Sequence, residues 1–355
     1  MVFAAVQGVS PGPAPGIFRS KLIRKKAPSH CGDNLFLNQD TPMKNDLKVF
    51  SGGSNASLAQ AICDDIGIPL SPLSTSRFSN DNLFVQVGES VREEDVFVVQ
   101  SFTQPASDNI MSLMLTLDAL RSASAKRITA VIPYYSYARS DKKDAPRISI
   151  AGRLIADLLK TAGANRVLTM DLHADSVHGF FSMPVDHLSA MPTICDYFAQ
   201  HLDLSNVVVV ATDAGGAKRA GRFAKRLNTS LAIIDKRRLS DSDVKQGLVV
   251  GNVQGHDAII FDDEISTGGT LVTTVETLKA AGARDIYVGA THPVLCGNAV
   301  ENLSKSPIKE IVVANTVDVP EKKQFPGLTV LSVAPLFSKA IQRIHTGESV
   351  SALFK

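Results

Sequence analysis

From Leu47 onward, short runs rich in valine and isoleucine recur along the chain, separated by stretches of helical periodicity. The runs are Leu47–Phe50, Val96–Val99, Ile128–Ile132, Val167–Leu172, Val207–Ala211, Leu231–Ile234, Ala258–Phe261, Ile286–Ala290, Ile311–Asn315 and Leu328–Ser332. They are continuously apolar rather than alternating, so as strands they must be covered on both faces. That is the pattern of a parallel sheet flanked by helices. Strands alternating with helices predict a doubly wound α/β architecture.

The pattern also repeats. Leu47–Phe50 runs into Ser51-Gly52-Gly53 and then a helix, and Val207–Ala211 runs into Thr212-Asp213-Ala214-Gly215-Gly216 and then a helix. A length of 355 residues suits two domains at roughly 100–200 residues each. We expect two similar doubly wound domains with mostly parallel sheets, over residues 45–190 and 191–355.

Residues 1–44 follow a different rule. They hold Pro11, Pro13, Pro15, Pro28 and Pro42, and five cations (Arg19, Lys21, Arg24, Lys25, Lys26) before the first acid, Asp33. Such composition predicts a disordered or non-native extension. An organellar transit segment is the competing reading. Met43 stands just before the first strand-like run, so it could be the true start.

Bulk properties exclude several classes. The net charge of +2 is weak for a nucleic-acid-binding domain. No apolar run reaches the roughly 18–20 residues a membrane span needs. Cys31, Cys63, Cys195 and Cys296 are far apart in sequence and offer no zinc spacing. Scattered cysteines suit a reducing compartment, and we expect a cytoplasmic protein.

In open α/β sheets, ligands bind beyond the carboxyl ends of the strands. There the strongest signal is AIIFDDEISTGGT, Ala258–Thr270. A buried strand ends in Asp262 and Asp263. Ser266, Thr267, Gly268, Gly269 and Thr270 then lead into a helix. Glycines admit an anion close to the backbone, and free N–H groups and hydroxyls at the helix start can cradle a phosphate. The two carboxylates repel phosphate, so they suit sugar hydroxyls or a cation beside it. Acids followed by a hydroxyl–glycine loop predict a sugar phosphate with Mg²⁺. The loop is not a Walker A motif.

Other strand ends carry further chemistry. In VLTMDLHADSVHGFF, Asp171 and His173 can contact Mg²⁺ or a polyphosphate. In IPYYSYARSDKK, Arg139 can pair bidentately with phosphate or stack on a base, with Ser140 beside it. LAIIDKRR releases Lys236, Arg237 and Arg238 from a strand end, where a solvated charge run is the ordinary alternative. VVVVATDAGGAKRA holds Asp213 and a glycine turn that opens a helix, with a basic helix face as the ordinary alternative for Lys218 and Arg219. RFSNDN offers Phe78 as a stacking platform, with Asn80 and Asn82 as amide partners.

Together, in this order, these segments resemble the ribose-phosphate pyrophosphokinases, the phosphoribosyl pyrophosphate (PRPP) synthases. That family is built on the type I phosphoribosyltransferase fold. The segment Asp171-Leu172-His173-Ala174 through Gly179-Phe180-Phe181 resembles its signature, and the likeness runs from Leu47 to about Phe354. It implies transfer of the diphosphoryl group of Mg·ATP to ribose 5-phosphate, giving AMP and PRPP. It implies ATP contacts at Phe78, Asn80, Asn82, Arg139 and Ser140, and Mg²⁺ contacts at His173 and Asp213 with Asp171 nearby. Lys236 and Arg238 would stabilise the transferring group. A homo-oligomer, commonly a hexamer, is implied as well.

The chain departs from the family's pattern at several places. Asn80 and Asn82 replace the usual acids, and Ser140 replaces a usual glutamine. Ser266 replaces a common aspartate, and Ser182 stands where some members have an acid. Glu264 replaces an apolar residue and adds a third acid. A phosphoribosyltransferase, a non-catalytic regulatory subunit and a nucleic-acid-binding regulator on this fold are the alternatives. The first would lack the segments around His173, Arg139 and Lys236. The second should have lost Lys236, Arg238, His173 and Asp262.

Overall fold

A computed structural model describes residues 46–236 and 247–354. The chain enters through β1 (Leu47–Ser51) and α1 (Ala56–Ile66), then a hairpin of β2 (Leu73–Arg77) and β3 (Leu83–Val87). There follow β4 (Asp95–Val99), α2 (Ala106–Ser122), β5 (Arg127–Ile132), α3 (Ala151–Ala162), β6 (Arg166–Met170) and β7 (Val185–Leu188). Next come α4 (Met191–His201), β8 (Val207–Ala211), α5 (Ala217–Leu227), β9 (Ser230–Lys236), β10 (Gly247–Val250) and β11 (Asp257–Ile265). The described chain closes with α6 (Gly269–Ala280), β12 (Ile286–Pro293), α7 (Ala299–Ser304), β13 (Glu310–Ala314), β14 (Leu328–Leu331) and α8 (Ala334–Thr346).

Each apolar run in the sequence is a strand, as its burial required. β4 and β8 are buried at every position. The first sheet is parallel, in the order β1-β4-β5-β6-β7. The second has the order β10-β9-β8-β11-β12-β13-β14, and in it only β10 runs antiparallel, against β9. Four strands are absent from the apolar pattern. β2 and β3 form an exposed hairpin, β7 carries Asp186 and His187 within four residues, and β10 is short with exposed valine and leucine.

The order of the second sheet locates the ligand crevice. From β8 the chain steps to β9 on one side, then returns to β11 on the other. Loops leaving β8 and β11 therefore diverge and open a gap at their carboxyl ends. The first sheet progresses in one direction after β1 and has no such reversal among its strands.

Both sheets share apolar packing. One continuous cluster of buried side chains joins Phe97 and Leu58 to Phe198, Phe223, Phe261 and Phe337. Helix α8 packs on α1. Asn55 caps α1 by accepting from the Leu58 N–H at 3.2 Å, and its amide donates to the Asn315 carbonyl at 2.8 Å. Arg127, ion-paired to buried Asp95, donates to the Ile344 carbonyl at 2.8 Å. Gly289 in β12 permits close approach of α4, because a Cβ there would lie 3.1–3.2 Å from Ile194, Phe198 and Phe261. No helix among the described residues is long and apolar enough to cross a membrane.

Candidate functional site

The gap between β8 and β11 is a cleft of about 700 Å³. Strand β11 extends past β8 and delivers Asp262, Asp263 and Glu264 into it. Asp263 is the most deeply buried, with its side chain 2% exposed. Arg219, in the first turn of α5, enters from the β8 side. Its Nη1 donates to Asp262 Oδ1 at 3.1 Å and Asp263 Oδ1 at 2.6 Å, and its Nη2 donates to the His173 carbonyl at 3.0 Å. His173 Nδ1 donates to Asp263 Oδ2 at 2.7 Å. The Thr212 hydroxyl donates to Asp262 Oδ2 at 3.1 Å.

Electrostatics separate the two aspartates. Burial, with the neighbouring Asp263 carboxylate, pushes Asp262 up to about 7. Asp263 is buried too, but the His173 hydrogen bond and the Arg219 charge hold it well below the usual carboxylate range. The same hydrogen bond raises His173, against the opposing effect of burial. So one acid is firmly ionised and its neighbour takes up a proton readily near neutral pH.

The loop after β11 has the form an anion needs. Gly268 sits at φ +77°, and a Cβ there would come within 3.1 Å of Leu303. It precedes α6 and provides no side-chain cap. The N–H groups of the first helical turn have no partner within the helix. With Thr267, Gly269 and Thr270 they form a donor-rich pocket at the positive end of the helix dipole. The Ser266 hydroxyl lies 3.2 Å from Cys296 Sγ.

Arg139 reaches the cleft from a 3₁₀ turn after β5 and ion-pairs with Glu264 at 3.0 Å. Ser140 is engaged elsewhere. Its hydroxyl accepts from the Ala151 N–H at 3.1 Å and donates to the Ser149 carbonyl at 3.2 Å, holding the start of α3. Ser140→Ala is expected to lower stability by about 1 kcal/mol, read from urea denaturation, because the Ala151 N–H at the helix start loses its acceptor.

Asp213 lines the cleft, with Oδ1 accepting from the Gly216 N–H at 2.8 Å. Asp171 does not join the group. Its carboxylate accepts from the Ser189 hydroxyl (2.7 Å), the Ala190 N–H (2.8 Å) and the Thr291 hydroxyl (2.7 Å). These donors hold a backbone strained at φ +37° and tie β6 to β12. Phe78, Asn80 and Asn82 are not among the residues lining the cleft; they form the exposed tip of the β2–β3 hairpin. There the Asn82 N–H donates to Asn80 Oδ1 at 3.3 Å, and Phe78 packs against Phe84 at 5.5 Å. Arg238 lies outside the described residues, as does the side chain of Lys236.

Arg219 is the residue the sequence pattern hid. Lys218 beside it does sit on the surface, paired with exposed Asp175. One residue on, the helix turns Arg219 inward. The available signal was its place in the first turn after a strand's carboxyl end, where side chains face the crevice.

No group of three or more His, Cys, Asp or Glu side chains among the described residues forms a metal cage. The donors present suit a hard cation that arrives on phosphate oxygens and keeps most of its own shell, as Mg²⁺ does. Asp213 and His173 are the residues that would meet it.

Known proteins resemble this chain over most of its length. Residues 47–163 match the N-terminal domain of ribose phosphate pyrophosphokinase, and residues 242–355 match a phosphoribosyl synthetase-associated domain. The ribose-phosphate pyrophosphokinase of Deinococcus radiodurans is 56% identical over 312 residues, covering 87% of this chain and 98% of its own. That of Caldanaerobacter subterraneus is 48% identical over 310 residues, with 87% and 98% covered. The crystal structure of phosphoribosylpyrophosphate synthetase from Mycobacterium smegmatis superposes with a TM-score of 0.81 at 40% identity, covering 85% of this chain and 99% of that one.

Proposed function

The chain belongs to the ribose-phosphate pyrophosphokinase family, and on that premise we propose how its cleft moves the diphosphoryl group of ATP to the anomeric hydroxyl of ribose 5-phosphate, giving PRPP and AMP. The observation that carries this reading is the juxtaposition of an uncapped glycine helix start with an arginine-paired acid couple, Asp263 buried and Asp262 half-buried. Ser266, Thr267, Gly268, Gly269 and Thr270 take the 5-phosphate. Asp262 and Asp263 take the ribose hydroxyls, and Arg219 keeps the couple from repelling the sugar phosphate.

Arg139, with Ser140 behind it, takes the ATP phosphates. Mg²⁺ carried on the triphosphate would meet Asp213 and His173 and offset phosphate charge. Asp171 serves at one remove, by fixing the strand end from which His173 leaves. Lys236 and Arg238 stabilise charge on the transferring group. Phe78, Asn80 and Asn82 serve the nucleotide across a contact between copies in a homo-oligomer. Their exposure and their absence from the chain's own cleft support that reading. Residues 45–190 and 191–355 act as two domains closing on the substrates, in the cytoplasm.

Positioning and electrostatics supply most of the acceleration in such a transfer. The test is product analysis. Protein given Mg²⁺, ATP and ribose 5-phosphate should release AMP and PRPP in equal amounts. ADP as the nucleotide product would overturn the reading, and so would consumption of PRPP with a free base.

A further inference from the structure

Glu264 lies one residue beyond the acid couple on β11, yet it faces different chemistry. Its side chain is only 6% exposed. Oε1 pairs with Arg139 Nη2 at 3.0 Å, and Oε2 accepts from the Tyr134 hydroxyl at 3.3 Å. Tyr134 is itself braced: it is 7% exposed and packs on the His292 ring at 5.0 Å. His292 stands in register with Glu264 on the adjacent strand. The result is a rigid chain, His292 to Tyr134 to Glu264 to Arg139, running from the second sheet to a residue delivered by the first.

A buried carboxylate needs a compensating charge, and Arg139 is the cation paired with it. The arginine side chain remains 52% exposed at the cleft. An arginine carries five N–H donors in a planar fork. Holding Nη2 on Glu264 leaves the remaining donors to face the cleft and restricts where the guanidinium can lie. Ordering a long side chain beforehand removes an entropic cost from ligand binding.

We infer that Glu264 is a positioning residue for the nucleotide half of the site, tethering Arg139 so that its free guanidinium edge meets the ATP phosphates, although Glu264 belongs by sequence to the sugar-phosphate loop. The inference rests on the assignment of Arg139 to ATP. It separates Glu264 from its neighbours Asp262 and Asp263: the three acids are adjacent in sequence, but the third acts on the other substrate.

The test is a double-mutant cycle with the two substrates titrated separately. Glu264→Gln keeps the shape and one hydrogen bond but removes the charge. It is expected to raise the KM for ATP about fivefold to tenfold, with the KM for ribose 5-phosphate within about twofold. Tyr134→Phe, which removes the second support, should give a smaller rise of the same kind. In an Arg139→Ala background, Glu264→Gln should have no further effect on the KM for ATP.

A general disturbance of the β11 loop would raise the ribose 5-phosphate KM as much as that for ATP, and that result overturns the inference. So does an unchanged ATP KM in Glu264→Gln when Arg139→Ala raises it, or full additivity of the two. If Arg139→Ala itself leaves the ATP KM unchanged, the assignment of Arg139 falls and the tether falls with it, while AMP and PRPP formation would stand.

Discussion

Lys236→Ala is expected to lower kcat by about a thousandfold while changing the KM for ribose 5-phosphate by less than about threefold. Strand β9 pairs in parallel with β8, Ile233 standing opposite Ala211. Both strands therefore end on the same edge of the sheet. The chain leaves β8 as Thr212-Asp213, at the cleft. Lys236 leaves β9 three residues beyond that last pairing, with its backbone opposite Gly247 of β10. On the proposed assignment, Lys236 meets charge building up on phosphate oxygens during transfer, and the sugar phosphate is held separately at the start of α6. Interactions stronger in the transition state than in the ground state appear in kcat. Steady-state kinetics with each substrate varied, plus calorimetry of ribose 5-phosphate binding, would read the split. A large rise in the ribose 5-phosphate KM with kcat intact would make Lys236 a sugar anchor and sink the assignment.

Much of the frame could be read from the chain because parallel strands buried on both faces leave a strong imprint. Val207–Ala211 has no polar residue and could fold in few other ways. The form of the loop after β11 was legible for a related reason. Glycine at positive φ and an uncapped helix start are local needs, and local sequence meets them. Long-range partnerships leave no such mark. Asp171 looks like a ligand in the string around His173, but its three donors come from residues 18 to 120 positions away. Ser140 looks like a phosphate donor until its hydroxyl is found at the start of α3. Arg219 looks like surface charge because only the turn of α5 separates it from Lys218. The β2–β3 hairpin packs on the core through little more than Leu73 and Val87, and β2 is otherwise polar and exposed, so hydrophobic periodicity carried little sign of it.

Arg219→Ala is expected to lower activity by at least about a hundredfold and to destabilise the fold by roughly 3 kcal/mol at pH 8. This guanidinium bonds both aspartates and the His173 carbonyl. Without it, Asp262 and Asp263 face each other with His173 as their bonded counter-charge among the described residues. The stability loss should depend on pH. Asp262 is raised from its ordinary 3.8 to about 7, so its contribution to stability is fully present below about 3.8 and is lost as pH rises towards 7. Asp263 is depressed, so its contribution is held above 3.8 and is lost only in acid. Between pH 5.5 and pH 8 the groups that change are therefore Asp262 and His173, whose raised pKa adds stability on the acid side in the same sense. At pH 5.5 a proton on Asp262 can stand in for the missing guanidinium, and the deficit should shrink. At pH 8 it cannot. Urea denaturation of both proteins at the two pH values would measure this. Adding Asp262→Asn to Arg219→Ala removes the same charge permanently. It should recover much of the lost stability at pH 8 and none of the activity, because the amide restores neither the carboxylate proposed for the sugar nor the arginine bonded to it. Equal destabilisation at both pH values, with no recovery in the double variant, would mean that Arg219 acts through packing alone and that the acid couple does not depend on its charge.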